Sequence, residues 1–171
     1  MRGLGKDFDI CSGVVPIADL ASGAQTGHRV HMKNYAGIAI VGFMGAVSAG
    51  TDTFVPDVQQ HTAATGGNSA DLDVVTTWFY KGEASLDGDE TWTKVTQAAA
   101  SEISLTGATY AALQMIIVAQ VEAVSLSDGY EWISVDQADP GSGGTRAGCY
   151  FYIPYGLTIQ RAPDNLAQPN A

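Results

Sequence analysis

Any chemistry in this chain has to come from three histidines, two cysteines and eighteen carboxylates. His28 and His31 are spaced three apart. On a helix that spacing puts both rings on nearly one face, as a two-histidine metal site needs; on a strand it turns them to opposite faces. The run Arg29-Val30-His31-Met32-Lys33 alternates polar and apolar residues, so it reads as an amphipathic edge strand carrying two ordinary polar histidines. His61 sits in a polar stretch with no acidic or thiol partner close in sequence. Asp87-Gly88-Asp89-Glu90 offers oxygens of the kind calcium takes, but without the spacing of an EF-hand loop it reads as a solvated turn. Gly141-Ser142-Gly143-Gly144-Thr145-Arg146 looks like a phosphate cradle; a P-loop would need Gly-Lys-Ser/Thr opening a helix, and here the loop runs into a β pattern. There is no Gly-x-Ser-x-Gly elbow, and no cysteine has a histidine poised in a recognisable motif. Eighteen acids permit a glycosidase-type carboxylate pair, yet nothing singles out two of them. The expectation is a protein that is not an enzyme and uses no metal and no cofactor. Cys11 and Cys149 lack redox-pair or zinc-knuckle flanks and read as two reduced thiols, with a disulfide joining the two ends as the alternative.

The elements that would position these residues are strands. Leu72–Tyr80 is rich in β-branched and aromatic residues, Lys81-Gly82 closes it, and Thr91–Thr96 alternates, so the two read as a hairpin across an acidic loop from Glu83 to Glu90. Gly37–Phe43 and Met115–Val121 read as core strands. Tyr130–Val135 and Cys149–Ile153 alternate, and Leu157–Arg161 completes the series. One short helix is expected at Gly107–Leu113. Gly- and Asp-rich turns punctuate these runs, there is no repeat, and no linker divides the chain. The fold expected is a mostly β single domain over residues 1–171, an antiparallel β-sandwich or jelly-roll-like barrel. Residues 1–12 read as a flexible N-terminal arm and 162–171 as a C-terminal tail, both suited to reaching a neighbouring subunit.

The surface is the second source of information. Hydrophobic residues make up 46% and charged residues 15% of the chain, well below the roughly 25% charge of ordinary soluble domains. Such a composition suits surfaces that end up against protein. Net charge is −10 with eight Lys and Arg, which argues against nucleic acid and against an anionic membrane surface. No apolar run reaches bilayer length, and the first residues lack a signal peptide's apolar core, so the chain is expected to stay in the cytosol of the cell that makes it unless carried out in a particle. Aromatic residues crowd the strands. Tyr150 and Tyr152 must oppose Phe151 across a strand, so one set faces outward or across an interface. The expected partner contacts are Phe8 and Ile10 in the N-terminal arm, Tyr150, Tyr152 and Tyr155 in the late strand, and Leu166 in the tail.

One resemblance is carried by the last third of the chain. Gln120-Val121-Glu122-Ala123, then Leu126–Asp136, then an Asp-Pro-Gly loop, then Ala147–Gly156 and a Pro/Asn/Ala tail resemble the small structural proteins encoded beside the major capsid gene of tailed bacteriophages, the capsid cement or decoration proteins. Met32-Lys33-Asn34-Tyr35 before an apolar strand is similar to the same group, and the likeness runs from about His28 onward. It implies a β-sandwich on the outside of an icosahedral shell, synthesised in the bacterial cytoplasm. There it would clamp adjacent copies of the major capsid protein as a homodimer or homotrimer. The alternative is a carbohydrate-binding or host-adhesion module, with outward Trp92 or Trp132 on one flat face and calcium at Asp87–Glu90.

Overall fold

The computed structural model of the chain describes residues 3–50, 52–141, 143–167 and 169. Among the described residues, eleven strands and one short α-helix follow in order: β1 (Cys11–Ile17), β2 (Gln25–Thr26), β3 (Val30–His31), β4 (Gly37–Met44), β5 (Pro56–His61), β6 (Ser69–Asp71), β7 (Val75–Glu83), β8 (Thr93–Ala100), α1 (Gly107–Tyr110), β9 (Gln114–Glu122), β10 (Trp132–Gln137) and β11 (Gly148–Tyr155). They form two antiparallel sheets that face each other without closing into a barrel, so of the two expected forms the open sandwich is the one found. The first sheet has the order β1-β11-β4-β9-β7-β8. The second has the order β2-β10-β5-β6, with β3 also on β10.

Alternation explains the assembly. β9 reads Gln-Met-Ile-Ile-Val-Ala-Gln-Val-Glu, and Met115, Ile117, Ala119 and Val121 point into the core while the residues between them point out. β4 lies between β11 and β9 in unbroken eight-residue register, and its Ile38, Ile40 and Met44 join the same core. From the second sheet Val58, Ile133 and Val135 meet them. The β7–β8 hairpin is present, but β7 runs on through Lys81 and Gly82 because β9 continues the ladder to Glu83 opposite Gln114.

Several elements depart from the sequence reading. β1 was hidden by a glycine and a proline. It is an edge strand with two register shifts against β11, and an edge tolerates a residue that cannot donate to the ladder. β5 was hidden because inward Gln60 breaks the apolar period and Pro56 opens the strand. The Arg29–Lys33 strand shrinks to Val30–His31 and turns into a 3₁₀ segment at Met32–Asn34. Leu157–Arg161 is not a strand: Gly156, at φ 65°, turns the chain, and the Asn34 side chain then takes the amide of Ile159 and the hydroxyl of Thr158. The helix ends at Tyr110 rather than Leu113.

The described part of the 1–12 arm is fastened to the body rather than free. Phe8 bridges Tyr155, the Asp9 amide donates to the Pro154 carbonyl, and buried Asp9 accepts from the Tyr35 hydroxyl at 3.0 Å. Residues 11 and 12 already belong to β1. In the tail, Pro163–Asn165 forms a 3₁₀ turn, Leu166 packs on the core and the Pro169 carbonyl accepts from the His31 amide. Residues 168, 170 and 171 of the expected tail lie outside the described residues.

Candidate functional site

The two outer faces of the sandwich differ in kind. On the second sheet the outward positions are polar. His31, Trp132, His61, Ser134, Gln59, Asp71 and Asp136 share that face through the pairings of β10 with β3 and β5, and of β5 with β6. His31 stacks on Trp132 at a ring distance of 4.5 Å and meets Glu131 at 3.3 Å, while His28 contacts the Ser12 hydroxyl. The two histidines therefore serve different partners and do not converge.

His61 is the functional-looking residue that the sequence reading passed over. It is 3% exposed, with Ser69 at 2.7 Å from Nδ1 and Ser134 at 2.9 Å from Nε2. The Ser134 hydroxyl donates to Asp136 Oδ1 at 3.0 Å, so it has no proton left for the imidazole. His61 Nε2–H must then donate to Ser134, and Nδ1 accepts from Ser69. Burial, with the Arg29 cation nearby, lowers the His61 pKa to about 4 and holds the ring neutral. A nucleophile relay needs the acid on the far side of the imidazole from the serine, and here both acid and base bind the serine. The cluster is a polar staple between β5, β6 and β10. Only the distant Ser69 and Ser134, brought in by pairing, reveal it.

The other chemistry-bearing motifs are likewise committed. In the 141–146 loop, the Gly141, Gly143 and Arg146 amides donate to Asp139, Asp52 and Asp19, so carboxylates already occupy the positions an anion would take. Glu83, Asp87, Asp89 and Glu90 bring carboxylate oxygens within 4.8 Å of one another, and Glu90 Oε1 accepts the amides of Asp87 and Gly88. Trp92 is half exposed beside this loop with Lys81 over its ring, whereas Trp132 lies on the second sheet, so the two tryptophans do not share a platform. Both cysteines are free thiols: Cys11 points into the core and Cys149 to the outside of the first sheet.

Tyr150 and Tyr152, expected as partner contacts, are 1% and 0% exposed and join the sheets instead. The Tyr150 hydroxyl donates to Gln137 at 2.6 Å and the Tyr152 hydroxyl accepts the Val135 amide at 2.8 Å. The reason is parity: inward Cys11 pairs with Tyr152, which leaves Phe151 as the outward member. Of the remaining expected contacts, Ile10 is exposed. Phe8, Tyr155 and Leu166 are half-buried, Phe8 and Tyr155 lie together, and the Tyr155 hydroxyl donates to Glu122.

The outer face of the first sheet is apolar across most of its width. One row runs Ser12, Phe151, Val41, Val118, Phe79, Lys94 through all six strands. The row beside it holds Cys149, Phe43, Ile116 and Lys81. Ile153 and Ala39 extend the patch to the other side. Val41 and Ala39 are buried although they lie outside the central core, because their neighbours on this face shield them. Among the described residues, charge appears only at the rim, as Lys81, Glu83 and Lys94 on one flank and Glu122 at one end. At one end an open groove of about 500 Å³ is lined by Phe43, which is 50% exposed, together with Pro16, Ile17, Gln114 and Cys149.

Arg146 closes the same end of the sandwich from within. It is 1% exposed, donates to the carbonyls of Gly45, Leu113 and Tyr110, and stands 5.0 Å from the Phe54 ring. Burial lowers its pKa to about 10. It fixes the loops that follow β4 and α1 to the start of β11. No protein-family model matches the chain, and no curated protein or solved structure does.

Proposed function

We propose that this protein is a structural, non-catalytic component of a virion, binding the outside of a tailed-phage capsid and clamping adjacent major capsid protein subunits. The observation that supports it is the apolar outer face of the six-stranded sheet. Monomers rarely leave a continuous apolar patch of several hundred Å² in water, and when they do it marks a partner surface. Interface cores are depleted in charge, and this face carries charge only at its rim. The resemblance of residues 120–156 to capsid cement proteins favours a phage shell as the assembly in which such a covered surface would serve.

The clamp works by added area. A shell pressed from inside by packed DNA fails where subunits separate. A bridging protein must then be pulled off both subunits before the seam opens. Standard interfaces bury about 1,600 Å² in total, and repetition over many equivalent sites multiplies a modest affinity. The net charge of −10 keeps the free protein soluble until it docks. The test is to purify the particles made from the genome that encodes the chain and examine them by mass spectrometry and electron microscopy. Stoichiometric chain on the shell exterior is expected. Its absence from the particles refutes the reading.

A further inference from the structure

We propose that the occupant of the apolar face is a second copy of this chain: two molecules pack their six-stranded sheets against each other about a two-fold axis, each placing its Phe43 in the groove of the other. The inference rests on the reading of this face as a protein-binding surface and adds which protein binds it.

Two observations favour a second copy. The first is self-complementarity. Phe43 is 50% exposed and its flank forms one wall of a groove of about 500 Å³ whose other walls include Pro16, Ile17 and Cys149. A knob next to a hole on one surface fits its own image after a half-turn, which is the requirement of a two-fold interface. The second is area. Five gaps of about 4.8 Å between six strands, and eight residues at about 3.3 Å, outline about 630 Å² per copy with the polar rim included, so about 1,250 Å² for the pair, at the lower end of stable interfaces. Each copy carries −10, so distant charges oppose pairing while the contact itself is nearly uncharged; added salt therefore tightens the dimer.

Sedimentation velocity over a concentration series, at low and high salt, tests this on the full chain. A dimer that strengthens with salt is expected. Phe43→Asp should weaken it roughly thirtyfold or more while the melting temperature of the dilute, monomeric protein changes little, since Phe43 is outside the core. Val124→Asp, at a residue 91% exposed and outside the strands, should leave the dimer intact. Cys149 should become protected from a soluble thiol reagent as concentration rises. A wild type that stays monomeric to high concentration, a trimer, a dimer indifferent to Phe43→Asp, or one that salt dissociates overturns the inference. Shell binding is scored separately. A monomer found on shells would sink only the pairing, and a dimer missing from shells only the capsid role.

Discussion

Replacing His61 with Gln should flatten the acid limb of the stability curve. In the folded protein the ring is buried between two serine hydroxyls with its pKa lowered to about 4, against 6.5 in the unfolded chain. A base whose folded pKa is depressed contributes stability that is present above the unfolded value and lost as pH falls toward the folded one. With those two values, the loss attributable to His61 is about 2 kcal/mol between about pH 7 and about pH 5, and about 3 kcal/mol by about pH 4. Asp57 works in the opposite sense, because burial raises its carboxyl and favours the folded state on acidification. That term is common to both proteins and cancels in their difference. Glutamine keeps a donor for Ser134, and the exposed Ser69 hydroxyl can turn to water, so the pH-independent offset is small. Between about pH 7.5 and about pH 4.5, urea unfolding should show wild type losing about 2 kcal/mol or more relative to His61→Gln. Parallel curves would refute the neutral, buried imidazole.

Arg146→Met should destabilise the fold by roughly 1–4 kcal/mol, because the half-buried carbonyls of Gly45 and Leu113 lose their donor, an effect only partly offset by removing an unpaired buried charge; a change under about 0.5 kcal/mol in chemical denaturation would mean those loops are not held by the guanidinium. Tyr152→Phe should cost about 1–3 kcal/mol through the orphaned Val135 amide and expose that amide to faster hydrogen exchange; unchanged exchange at Val135 would contradict the bond.

The apolar-rich strands were legible: β4, β9 and β11 lie where Ile, Val and aromatic spacing put them, and β7 and β10 overlap the expected runs but start and end two or three residues later. What escaped were strands whose inward positions are polar or glycine. β5 buries Gln60, satisfied by Ser127, and β1 buries Gly13, where a methyl group would meet the Tyr152 ring at 2.9 Å. Such residues declare their strand only through partners distant in sequence. The apolar face had the same fate. Phe43, Val118, Phe79 and Phe151 are each ordinary strand residues, and which side they take depends on register between strands that are far apart in the chain. Tyr150 and Tyr152 show the converse. Their alternation with Phe151 was visible, and the side facing inward was fixed only by the pairing with β1 and the hydroxyl partners on β10.

The way the chain enters and leaves has a mechanical meaning. β1 starts opposite Tyr152 and β11 ends at Tyr155, beside the Phe8 bridge, so incoming and outgoing segments meet at one end of one antiparallel ladder. Tension applied between those ends would peel β1 from β11 one rung at a time, the geometry in which hydrogen bonds break singly rather than sharing the strain. A molecule loaded in that direction gives way easily. One loaded broadside, through side chains spread over a sheet, engages many contacts at once.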